Sequence, residues 1–115
     1  MTQGPDEPQE VQETQVSQRL EEQRERAKAI EPDGRIVVLS EEAWSHVVDH
    51  HRGMERYERD VMATITHPVH TEDDERPGRV RYFSNRGPLR WLRVVVAFDG
   101  DTGDVVTAFP HNNEP

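Results

Sequence analysis

Two groups of side chains in this sequence have types and spacing suited to chemistry: three imidazoles close together and a run of guanidiniums further on. His46, His50 and His51 lie close together in the chain, and histidine is the side chain whose ordinary pKa lies nearest neutrality. Between Arg76 and Arg93 stand Arg76, Arg79, Arg81, Arg86, Arg90 and Arg93, with no Asp or Glu among them. Strands usually mix signs, because like charges directly opposite each other cost stability. Interleaved with Tyr82, Phe83 and Trp91, the run combines planar forks for phosphate with rings for stacking bases. A solvated sheet face would explain the arginines without a partner. The missing acids favour an anionic one, and RNA suits it.

Each candidate has a chemical and a structural reading. His51 shares an apolar helix face with Trp44, Val47 and Val48, at about 100° per residue. It is a candidate general acid or base, or a core-edge histidine bonded to a main-chain carbonyl. His46 is the second acid/base candidate. It projects about 140° away from His51 on an ideal helix, so the two do not form a pair. His46 and His50 have the i,i+4 spacing of zinc helices. No third ligand is evident, and Val47 stands where such helices carry Glu, so neither a metal site nor a cofactor is expected. Thr107 interrupts the apolar run Val105–Phe109. A strand threonine is ordinary, but beside arginines its hydroxyl could orient a phosphate. Arg79, Arg90, Arg93 and Tyr82 are the expected substrate-binding residues. No phosphate-binding loop, dinucleotide fingerprint or serine-hydrolase elbow is present.

These residues need elements to hold them. Leu89–Phe98 is apolar enough to be a central strand buried on both faces. Arg79–Ser84 alternates, with Val80 and Tyr82 on one side and Arg79, Arg81 and Phe83 on the other. Asp99–Gly103 is a hairpin signal leading to a last strand over 104–109. Upstream, Arg35–Leu39 predicts a strand, and Ser40 with Glu41 and Glu42 predicts a capped helix. A second helix is expected from Tyr57 to Thr66, stopped by Pro68, and 69–71 suits a short strand. The expected fold is α+β, with N-terminal helices packed on one face of a small, mostly antiparallel four-stranded sheet.

Composition sets the outer parts. Residues 1–14 read as a disordered acidic tail, and 15–34 as a solvated amphipathic helix with a linker. That helix, over 16–30, is a candidate dock for an antitoxin-like or other protein partner. Residues 35–110 form the expected domain, and 111–115 a C-terminal tail. The net charge of -9 argues against nonspecific nucleic-acid binding by the whole chain. There is no cysteine for a disulfide framework or a thiolate metal site. No apolar run reaches the length of a membrane helix, and the first residues lack the pattern of a secretion signal. A cytoplasmic location and no membrane partner are the expectations.

Several short stretches, namely Trp44-x-His46-Val47-x3-His51, Thr64-Ile65-x2-Pro68, the Tyr82-containing strand, Leu92–Phe98 and Val106-Thr-Ala-Phe109, together resemble the ribonuclease-like superfamily of barnase, EndoU, colicin-type and RelE-type toxins. The resemblance covers residues 35 to 110. It implies helices packed on a four-stranded antiparallel sheet and metal-independent cleavage of RNA on the open sheet face. Carried over by position, His51 or His46 would be the acid/base. Arg81, with Arg79, would bind phosphate, and Thr107 would orient it. EndoU-type sites use a lysine; the sole lysine here, Lys28, lies outside that range, so an arginine would take its place.

Overall fold

The computed structural model describes residues 24–115. The chain runs through β1 (Glu25–Ile30), β2 (Ile36–Ser40), α1 (Glu41–His50), a 3-10 turn (Met54–Arg56), α2 (Glu58–Thr66), β3 (His70–Asp73), β4 (Arg79–Ser84), β5 (Trp91–Asp99) and β6 (Thr102–His111). The strands form one six-stranded sheet in the order β1-β2-β6-β5-β4-β3. All neighbours are antiparallel except β2 and β6, which run parallel over Ile36–Val38 and Thr102–Asp104. The domain is therefore α+β with a mixed sheet. This corrects the expected four-stranded antiparallel sheet with N-terminal helices.

The correction begins at β1. Glu25–Ile30 is made of good helix formers yet forms a strand, because Ala27 and Ala29 turn inward against the core while Lys28 and Ile30 face outward. Tertiary packing overrides propensity here. Glu31-Pro-Asp-Gly34 is thus a hairpin turn, closed by Gly34 N donating to Glu31 O at 2.8 Å, with Gly34 at φ 92°. The expected helix over 16–30 is replaced by this strand for its last six residues. Its earlier part and the 1–14 tail lie outside the described residues. His111, expected in the C-terminal tail, is the last residue of β6.

The helices follow local signals. The Ser40 hydroxyl caps α1 by accepting from Ala43 N at 3.1 Å, with Glu41 and Glu42 in the first turn. Trp44 and Val47 from α1, Met54, and Val61 and Ile65 from α2 pack onto Leu39, Tyr82, Leu92, Val94 and Val96. Thr64 donates to Asp60 O at 2.7 Å and meets the Ser84 hydroxyl at 2.6 Å, which satisfies a buried polar pair between α2 and β4. Gly103 faces Phe98 and Val96 so closely that a Cβ would stand 2.7 Å from each.

One buried charge fastens the hairpin to the far half of the sheet. Glu31 is 3% exposed. Its carboxylate accepts from the Tyr82 hydroxyl at 2.9 Å, from Arg35 N at 3.0 Å and from the Arg35 guanidinium at 3.1 Å. Burial alone would raise the Glu31 pKa, but the bonds from Arg35 and Tyr82 outweigh it and lower it. Tyr82 is 1% exposed. Burial, then the Glu31 carboxylate, pushes its pKa up. It is a core donor, which corrects its expected place among substrate-binding residues.

Two outcomes follow. Gly103→Ala should destabilise the domain by about 1–3 kcal/mol through overpacking, seen as a lower urea midpoint; an unchanged midpoint would show that Phe98 and Val96 yield freely. Tyr82→Phe should cost about 1–3 kcal/mol by leaving a buried carboxylate short of a donor. Because the folded pKa of Glu31 is depressed, its contribution is complete above the ordinary carboxylate pKa and fades as pH falls through the folded value. Urea midpoints of Glu31→Gln and wild type should therefore differ most near neutrality and converge in acid.

Candidate anion-binding face

Pairing in the sheet decides which side chains share the face turned away from α2. Cross-strand partners there form rows: His70, Phe83, Arg93 and Phe109; then Glu72, Arg81, Val95 and Thr107; with Trp91 opposite His111 beyond the first row. A groove of about 470 Å³ lies along this face, walled by Arg76, Arg79, Arg81, Arg93, Thr107 and Phe109, together with Asp74 and Glu75. The alternation of β4 and β5 thus brings Arg79, Arg81, Arg93 and Thr107 together.

The acid-free arginine run is nevertheless partly paired with acids in space. β3 folds back beside β4, so Glu72 becomes the direct partner of Arg81. Arg81 Nε donates to Asp74 at 2.6 Å and its NH1 to Glu72 at 2.9 Å. The Arg81 guanidinium, then the Arg76 N–H, hold the Asp74 carboxyl below its usual range. His70 and Arg81 do the same for Glu72. Arg81 is thereby a structural cation, a correction to its expected role on substrate phosphate.

Arg93 is better placed for a ligand. It is half-buried, with its guanidinium 5.1 Å from the Phe109 ring centre and 5.9 Å from that of Phe83. Asp74 is its nearest acid, at 3.8 Å. Burial, then the neighbouring Arg81, lowers its pKa, but a guanidinium stays charged at working pH. Arg76 and Arg79 make no ion pair among the described residues. Arg90 is exposed in the turn before β5 and does not line the groove.

The two candidate histidines part company. His51 caps α1 and stacks on Phe109, ring centres 5.4 Å apart, so it stands beside the groove. Burial, then His50 and His46, lowers its pKa, which leaves it neutral at pH 7. His46 is exposed and lies against His50 at 4.2 Å, with no side chain in the groove. His50 Nδ1 donates to the His46 carbonyl at 2.9 Å.

Phe109, His70, His111, Glu72 and Asp74 complete this face without having been candidates on residue type alone. The signal was present. Thr107, Phe109 and His111 recur at the period of a strand, and Glu72 and Asp74 mirror Arg79 and Arg81 across a hairpin.

No family model, curated protein or solved structure matches this chain. No helix among the described residues is long and apolar enough to cross a membrane.

If the acids mask Arg81, the double substitution Glu72→Gln, Asp74→Asn should release it. The variant is expected to elute from phosphocellulose at higher salt than wild type. Elution at the same salt would mean that Arg81 stays out of reach of a ligand even when unpaired.

Proposed function

We propose that the groove on the face away from α2 is a binding surface for single-stranded RNA in the cytoplasm. The observation that carries this is the meeting of Arg76, Arg79 and Arg93 with the Thr107 hydroxyl and the Phe109 ring in one groove. Guanidiniums supply phosphate contacts, and Phe109 with the stacked His51 supplies flat surface for bases. Asp74 and Glu75 on the wall limit the net charge, which favours a short contact over a long polyanion track.

Fluorescence anisotropy with a labelled RNA oligonucleotide tests it. Three phosphate contacts should give a slope of about -2 in log affinity against log salt for a single strand. Arg93→Ala and Arg79→Ala should each flatten that slope and weaken binding by roughly tenfold. No binding at low salt, or slopes unaffected by both substitutions, would overturn the reading.

A second reading, metal-independent RNA cleavage, is favoured by one observation: the His51 ring stacks on Phe109 beside the groove, where burial holds its pKa below the ordinary value. As a base it would take the proton of a ribose 2′-hydroxyl. The oxygen attacks the adjacent phosphorus, the 5′-oxygen leaves with a proton from an acid, and Arg93 in place of Arg81 steadies the phosphoryl charge. In EDTA, wild type should convert RNA to fragments ending in a cyclic phosphate, and His51→Ala should be slower by about 100-fold or more. Intact RNA, or equal rates in both proteins, would remove catalysis and leave the binding face.

A further inference from the structure

Three buried nitrogens on the same face have no hydrogen-bond partner among the described residues: Trp91 Nε1, Arg93 Nε and His111 Nε2. The register sets them side by side. Trp91 and His111 are cross-strand partners, and Arg93 follows Trp91 by two residues on the same side of β5. The His111 ring lies 5.8 Å from Phe83 and 6.1 Å from Phe109, the two rings that also flank the Arg93 guanidinium. Trp91 is 7% exposed, so its indole N–H has lost water without gaining an acceptor. Buried polar groups are rarely left so, and three on neighbouring ladder positions are harder to explain as packing alone. A fourth such atom, Arg35 Nε, belongs to the hairpin end, where its guanidinium covers Phe98.

Their chemistry is of one kind. Indole and guanidinium nitrogens only donate, and His111 Nε2 donates in its Nε2–H tautomer. The complement is a group that only accepts. The nearest carboxylate, Asp74, is held by Arg81 and by Arg76 N. We propose that Trp91, Arg93 and His111 form a seat for the oxygens of one phosphate group. The oxygens of a tetrahedral phosphate diverge in three dimensions toward donors on two strands, where the two of a carboxylate lie in one plane. The seat rests on the reading of this face as anion-binding, and adds the group that is recognised and the residues that recognise it.

The indole signal is the probe. The chain has two tryptophans, Trp44 and Trp91, so an amide nitrogen–proton spectrum shows two indole peaks, assigned with Trp91→Phe. Inorganic phosphate is titrated into the wild-type protein, with chloride holding ionic strength constant. The Trp91 peak should move and saturate while the Trp44 peak stays, and Arg93→Lys should weaken phosphate by about tenfold. A Trp91 peak that stays, moves together with Trp44, or moves equally with chloride overturns the seat, as does unchanged affinity in Arg93→Lys. Oligonucleotides with and without a 5′-phosphate then separate the sources. Movement with both assigns a backbone diester, and movement only with the 5′-phosphate assigns a terminal monoester. RNA that binds by anisotropy but leaves Trp91 unmoved removes the seat and spares the RNA reading. Saturable movement with inorganic phosphate and no RNA binding does the reverse.

Discussion

A single buried carboxylate decides the shape of this molecule. Glu31 sits in the β1–β2 turn, and Tyr82 belongs to β4, three strands away from β2 in the sheet. A hydrogen bond between them requires the sheet to curl, so that the hairpin comes over the side occupied by the helices. The charge tolerates burial because Arg35 supplies both a main-chain N–H and a guanidinium, which is the condition for a buried ion to persist. The helices fill the resulting hollow, and the opposite face is left for the arginines. Position of the groove and closure of the core are thus two results of one constraint.

On that opposite face, electrostatics work by allocation. The β3–β4 hairpin commits Arg81 to Glu72 and Asp74, which ties β4 to the edge strand and offsets the repulsion among the arginines. The groove is left with guanidiniums that differ in their surroundings: Arg93 crowded by rings, Arg76 and Arg79 nearer solvent. A ligand that enters meets one desolvated cation and several hydrated ones. Interactions at the desolvated one are the stronger, since less water competes there.

Local signals in the sequence were sufficient for much of this. Ser40 as a cap, the α2 stripe of Val61 and Ile65, and the alternation of β4 follow from short-range periodicity, and each appears in the structure. What could not be read was non-local. Glu25–Ile30 has the composition of a helix, and only its neighbours make it a strand. Nothing in residues 36–38 announces a parallel partner at 102–104. Along the chain the arginines looked free of acids, because the acids that pair with them lie just upstream of the window that held them. Tyr82 looked like a ligand-facing ring for a related reason: alternation assigns a face, but which face the helices cover is a tertiary matter. Thr107 lines the groove with the arginines, and His51 reaches its edge only through Phe109, a ring that local periodicity alone did not single out.

The parallel pairing of β2 with β6 also bears on how the chain folds. Strand β2 precedes both helices, yet its neighbour β6 follows every other described strand. Until that segment is in place, the hairpin has one uncovered edge and the sheet remains in two pieces. Local elements such as the β3–β4 and β5–β6 hairpins need no such wait. Completion of the sheet is therefore a late, non-local step, paced by a contact between strands from the two ends of the described residues.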